Sequence, residues 1–167
     1  MSNTSYTGYF VNAVDVKSRL SIPAVFRDVI TARTATRQVV LGPGHAGRRC
    51  LVAYDETHSA KLKSDFDARH GASISAEAHA ERAFLFGSTQ TLGIDDAGRV
   101  VLPAGLKRAG GIGSHVLFVG GYEYFELWDP WTFMAHPLLV DGQRFMVEGE
   151  LEARGLPLER PPERQSP

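Results

Sequence analysis

The chain has 167 residues, 43% hydrophobic and 22% charged, with a formal net charge of -1. The chain is long and apolar enough for one compact core or two small units sharing one, and disorder is not its expected state. Near-neutrality argues against a uniformly basic polyanion binder, but residues 1–50 carry seven basic side chains against Asp15 and Asp28 alone, which leaves the remainder acidic. Such charge asymmetry is compatible with a nucleic-acid face and equally with a solvated basic surface.

The N-terminal residues show neither a basic nor an apolar leader pattern, and no apolar run reaches the length of a membrane span. A cytoplasmic protein is expected. A strand is expected before Asp15, then a tight turn with Lys17-Ser18 between Asp15 and Arg19, then a second strand in which Leu20 and Ile22 alternate with their neighbours as half-buried strand residues do. Pro23 suits the first turn of a short helix whose apolar side would be Val25, Phe26, Val29 and Ile30. Two further strands follow, Val39 to Leu41 and Leu51 to Tyr54, separated by Gly42-Pro43-Gly44. Cys50, the one cysteine, allows no internal disulfide and is expected to be a buried thiol.

Asp55 is placed to cap a helix over Thr57 to His70, and Ser75 to cap another reaching Phe86, with Ala76, Ala80, Ala83 and Phe84 as its apolar face and Gly87 as its end. The pattern then begins again. Val14 to Ala24 aligns with Ile94 to Ala104 at an offset of 80 positions, matching Asp, Arg, Pro and Ala; Cys50 to Asp55 aligns with Tyr124 to Asp129 at an offset of 74. Both blocks recur in the same order. The chain is therefore a tandem repeat, divided as residues 1–74, residues 75–153 and a Pro-rich, mobile tail over 154–167. In the second copy Gly98 supplies a positive φ for the turn, Pro103 and Leu106 begin the short helix that Gly110-Gly111 ends, and Asp129-Pro130 opens a further helix.

The motif that can carry chemistry is Asp-x-x-x-Arg, present as Asp15 with Arg19 and as Asp95 with Arg99. Across a tight turn, residues four apart face one another and can form an ion pair, while the carboxylate also fixes the turn. These pairs read either as surface salt bridges that only shape the turns or as devices that present a directed guanidinium to phosphate or to a guanine edge. Asp15 and Asp95 are assigned the shaping role, and Arg19, Arg99 and Lys17 contact with DNA. Arg27 and Lys107 occupy equivalent places in the two short helices and are secondary basic candidates, or simply solvated charges. The histidines at 45, 58, 70, 79, 115 and 136 form no metal-ligand pattern, and His79, Glu81 and Arg82 read as a solvated helix face. No catalytic constellation, metal site, cofactor or small-molecule substrate is expected; the chain is not read as an enzyme.

Asp15 to Pro23, repeated as Asp95 to Pro103, and the aromatic block Tyr124-Phe125-Glu126-Leu127-Trp128-Asp129 resemble the bacterial MraZ family, with likeness running from about Gly8 to Glu148. The resemblance implies a mainly β, α+β fold: a pseudo-twofold, swapped-hairpin double-psi β-barrel of the AbrB/SpoVT/MazE kind, built by both copies within one chain. It further implies a ring-shaped homo-oligomer, nucleoid-associated, that binds double-stranded promoter direct repeats and regulates a division and cell-wall gene cluster. The family's DNA-contacting turn falls on Asp15, Lys17, Ser18 and Arg19, and its second copy on Asp95, Gly98 and Arg99. Ser18 stands where that turn usually has glycine, so either the turn type tolerates a side chain or Ser18 adopts a positive φ. An antitoxin-like protein-binding module on the same fold is the other reading.

Overall fold

A computed structural model describes residues 3–45 and 47–162. The first repeat contributes β1 (Tyr9–Ala13), β2 (Arg19–Ser21), α1 (Ala24–Arg33), β3 (Gln38–Pro43) and β4 (Leu51–Tyr54). Two helices follow, α2 (Glu56–His70) and α3 (Ala76–Arg82), the latter running into a π-helical turn over Ala83–Gly87. The second repeat supplies β5 (Gln90–Gly93), β6 (Arg99–Val101), α4 (Ala104–Ala109), β7 (His115–Gly120), β8 (Phe125–Trp128) and α5 (Pro130–Met134), and α6 (Asp141–Ala153) closes the order.

The strands form a six-stranded antiparallel sheet in the order β1-β7-β8-β4-β3-β5 and a separate antiparallel ribbon of β2 with β6. Four of these pairings, β1 with β7, β2 with β6, β3 with β5 and β4 with β8, join one repeat to the other. The fold is thus mixed α+β, with hairpin elements exchanged between the copies. Its main core is shared in the same way: Leu20, Ile22, Phe26, Val29 and Ile30 pack with Val100, Leu102, Leu106, Phe118 and Phe125. Phe26 sits at the centre, its ring 4.8 Å from Phe125, 5.3 Å from Phe10 and 5.5 Å from Tyr6.

Local chemistry explains the helix ends. Asp55, Ser75 and Asp129 each accept a hydrogen bond from the backbone N–H three residues on, as N-caps do. Pro23 and Pro103 lie one residue earlier than expected, at the N-cap positions of α1 and α4. Two apolar faces differ from expectation. Phe26, Val29 and Ile30 are buried, but Val25 points to solvent, because the i, i+3, i+4 stripe centred on Phe26 already meets the sheet. On α3 the buried positions are Ala78 and, in the π-helical turn, Leu85; Ala76, Ala80, Ala83 and Phe84 face outward. Alanine is a weak marker of an inward face, since its methyl is tolerated on either side.

A second cluster, formed by Val11, Leu117, Trp128, Trp131, Phe133, Met134, Val147 and Leu151, holds α5 and α6 against the β1 edge. The Pro-rich segment after α6 has no regular structure up to residue 162, yet it is tied down: Trp131 Nε1 donates to Pro157 O at 3.0 Å, and Arg160 pairs with Asp129 at 2.9 Å. The rest of the expected tail, 163–167, lies outside the described residues. No described helix is long and apolar enough to cross a membrane.

Candidate nucleic-acid interface

The two Asp-x-x-x-Arg turns have the same wiring. Asp15 Oδ1 accepts from the backbone N–H groups of Lys17 and Arg19, each at 2.9 Å, and Asp15 Oδ2 receives Arg19 Nε at 2.6 Å. Asp95 Oδ1 accepts from Ala97 and Arg99 N–H at 2.9 Å each, and Asp95 Oδ2 receives Arg99 Nε at 3.2 Å. The Arg19 backbone N–H, more than any other contact, holds the Asp15 carboxyl below its ordinary pKa, and the Arg99 N–H does the same for Asp95. Each carboxylate therefore stays charged and keeps its arginine oriented. Each Nε is engaged, while the terminal nitrogens of both guanidinium groups have no protein partner among the described residues.

The ribbon sets the two arginines on one surface. Its register pairs Arg19 with Val101, Leu20 with Val100 and Ser21 with Arg99, a local twofold centred on the Leu20–Val100 pair. Leu20 and Val100 point into the core, so period-two alternation turns Arg19, Ser21, Arg99 and Val101 outward. Arg19 and Arg99 are then diagonal neighbours, a placement that leaves long side chains within reach of one another. Reciprocal bonds lock each turn to the opposite strand: Ile22 N–H donates to Gly98 O at 2.9 Å, and Leu102 N–H donates to Ser18 O at 2.8 Å.

Ser18 adopts φ +60° where Gly98 adopts +79°, so the first turn keeps the glycine conformation with a side chain in it. The secondary basic candidates cross over between repeats. Arg27, from α1, lies over Gly98 of the second turn and donates Nε to Ile22 O at 3.1 Å; Gly98 is buried beneath it. Lys107, from α4, lines a cleft beside Ser18 of the first turn. The turn tips themselves differ. Val16 and Lys17 project from the first, whereas Asp96 and Ala97 project from the second, where Arg37 bonds Asp96 Oδ1 at 3.1 Å and Asp95 O at 2.9 Å.

Arg37 was not legible as a member of this site, since only the β3–β5 pairing brings it to the second turn. The N-terminal excess of positive charge is partly consumed within the protein: Arg33 is 2.8 Å from Asp55 and 3.0 Å from Glu123, and Arg48 is 3.0 Å from Glu126. Of the expected solvated face, His79 is exposed, whereas Glu81 is taken up by Arg69 at 2.7 Å and by His70, and Arg82 stacks over Phe66. Cys50 is buried, and desolvation together with Glu126 pushes its thiol up to about 12.

These features define a class: a duplicated, cross-paired α+β protein that displays two carboxylate-braced arginines on one β-ribbon. Comparison with known proteins narrows it. A family described as "MraZ protein, putative antitoxin-like" matches residues 85–136. The chain is 35% identical to the transcriptional regulator MraZ of Rickettsia akari over 76% of this chain and 83% of that protein. It is 31% identical to the Rickettsia bellii protein of the same name over 91% of this chain and 97% of that one, and 32% identical to that of Rickettsia canadensis over 87% and 93%. The chain belongs to the MraZ family.

Proposed function

We propose that this chain is a sequence-specific DNA-binding transcriptional regulator that acts through the β2–β6 ribbon and its two turns, with no catalytic step. The observation that carries this reading is the side-by-side display of Arg19 and Arg99, each braced through Nε and each with its terminal nitrogens uncommitted among the described residues. A two-stranded ribbon fits the major groove, and a guanidinium held in this way can donate two parallel bonds to guanine O6 and N7 or to a phosphate. Lys17 supplies phosphate contact beside Arg19, Ser18 and Gly98 shape the tips, and Asp15 and Asp95 fix them. Arg27 covers the second tip and Lys107 flanks the first.

The target is a set of promoter direct repeats, read by a ring-shaped homo-oligomer in the cytoplasm at the nucleoid, controlling a division and cell-wall gene cluster. A ring suits the distribution of apolar surface. Leu138, Val140, Phe145 and Met146 are exposed around α6 at the β1 edge, and Ile74 and Phe84 are exposed around α3, which leads into β5 at the other edge. Two unlike faces on opposite edges favour head-to-tail contacts, which close into a ring when the rotation between neighbours divides a full turn and otherwise run on as a filament. A near-neutral subunit holds one box weakly; several linked sites gain about 10²–10⁴ in avidity. The test is a titration of one-box, multi-box and half-turn-respaced duplexes at fixed salt, with light scattering for subunit number. Preference for the correctly spaced multi-box duplex by an oligomer is expected; equal affinity for all three, or a monomer, refutes the avidity mechanism.

A further inference from the structure

A broad cavity lies to the side of the ribbon. It is an open cleft of about 1100 Å³ that begins at Ser18 of the first turn and runs along α4 to α5. Its wall carries Arg49 from the β3–β4 connection, Lys107 and Arg108 from α4, and Arg160 from the C-terminal segment, against Asp129 as the one carboxylate. Arg49, Lys107 and Arg108 form no ion pair among the described residues, and Arg49 and Arg108 are exposed. Arg160 differs from them. Its Nη2 donates to Asp129 Oδ1 at 2.9 Å and to Thr132 Oγ1 at 2.8 Å, and its Nη1 donates to Asp129 Oδ2 at 3.3 Å. The segment that bears it is anchored by Trp131 Nε1 to Pro157 O and by Leu156 N–H to Leu151 O at 2.9 Å.

Asp129 cannot be removed from this wall, because its carboxylate caps α5 and is buried within it. Left alone, it would set a negative charge inside a cleft that otherwise attracts anions. In the first repeat the equivalent Asp55 is neutralised by Arg33 from α1; in the second that duty falls to the C-terminal segment.

We infer that this cleft is a phosphodiester track, continuous with the first turn, in which Arg49, Lys107 and Arg108 contact the DNA backbone and Arg160 keeps the track cationic by covering Asp129. The inference rests on the DNA-binding reading and deepens it. The cavity near the second turn, lined by Arg27, Arg37 and Ile94, is smaller, about 230 Å³, and that tip carries Asp96. The backbone of the bound duplex therefore runs to one side of the ribbon, past α4. Arg160 is a positioning residue that makes no DNA contact of its own.

The track is tested by anisotropy titrations of a multi-box promoter duplex and a scrambled duplex, each between about 50 and 200 mM salt. The triple variant Arg49→Ala/Lys107→Ala/Arg108→Ala should weaken both duplexes by the same factor. It should also reduce the slope of log K against log salt by about 0.9 for each phosphate that an engaged subunit no longer neutralises. Lys107→Gln/Arg108→Gln, milder in shape, should do the same in part, with circular dichroism and light scattering unchanged. Arg160→Ala should weaken both duplexes, and adding Asp129→Asn, which keeps a capping oxygen, should restore them. Unchanged affinity and slope in the triple variant, while Arg19→Ala/Arg99→Ala removes discrimination between the duplexes, overturns the track and leaves the DNA reading standing. Failure of the unaltered protein to bind either duplex overturns both. Failure of Asp129→Asn to rescue Arg160→Ala overturns the role given to the C-terminal segment.

Discussion

Exchanging side chains at the positive-φ corner of the two turns should move stability in opposite directions. Ser18 and Gly98 hold φ +60° and +79° in turns that are otherwise wired alike. A side chain in the left-handed region costs about 1–2 kcal/mol, and glycine returns roughly 0.5–1 kcal/mol as extra freedom in the unfolded chain. Ser18→Gly should therefore stabilise by about 0.5–1 kcal/mol. Gly98→Ala meets the same backbone strain and a steric one: its Cβ would lie 2.5 Å from Arg27 Nη1 and 2.6 Å from Cζ, so the guanidinium must leave. Leaving breaks its bond to Ile22 O, worth about 0.5–1.5 kcal/mol. Set against about 0.4–1 kcal/mol of reduced unfolded-state freedom, the net loss is about 1–2.5 kcal/mol. For a chain of this size 1 kcal/mol moves Tm by about 2–4 °C, so Ser18→Gly should raise Tm by about 1–4 °C and Gly98→Ala lower it by about 2–10 °C. Urea and thermal unfolding of both variants provide the assay. A neutral Gly98→Ala, or a destabilising Ser18→Gly, would refute the turn geometry.

Arg33→Ala strips the ion pair from buried Asp55 and the bond to Glu123, and breaking a buried pair of this kind costs about 3–5 kcal/mol; denaturant unfolding should show most of it recovered in Arg33→Met/Asp55→Asn. Cys50 should resist alkylation at pH 8 in the folded protein and react fully in denaturant, because burial keeps it a thiol; rapid native labelling would contradict its placement in the second core cluster. His45, His58 and His115 are each held below the ordinary imidazole pKa by burial, so the unfolded chain protonates first. Their contribution to stability is full above about pH 6.5 and declines as pH falls through that value toward the lowered folded ones, which a series of unfolding curves from neutral to mildly acidic pH will reveal.

The turns and the caps were legible because each is local. Asp15 and Asp95 announce a turn by their spacing to Arg19 and Arg99, and Asp55, Ser75 and Asp129 announce helix starts within three residues of the bond they make. What escaped depends on chain crossing. Nothing in the sequence around Arg37 places it on Asp96, nothing around Arg27 places it over Gly98, and the cover that Arg160 gives Asp129 requires the C-terminal segment to return across α5. The outward turn of Ala76, Ala80 and Phe84 escaped for another reason: a short alanine-rich helix has no strong preference for which side it buries, and a π-helical turn after Arg82 shifts the phase of the face. The basic excess of residues 1–50 overstated the free charge, since pairing partners such as Asp55, Glu123 and Glu126 lie far along the chain.

The most direct test of the ribbon as a DNA reader is the affinity of Arg19→Ala, Arg99→Ala and the double variant for a multi-box promoter duplex, each with its circular dichroism and light scattering recorded. Both side chains are solvent-facing and their turns are also held by backbone bonds to Asp15 and Asp95, so fold and assembly should be unchanged. Each substitution should cost about 1–3 kcal/mol per engaged site, a loss of roughly five- to 150-fold that compounds across subunits, and the double variant should lose discrimination between promoter and scrambled DNA. Wild-type affinity and discrimination in the double variant, with an unaltered spectrum, would contradict the account.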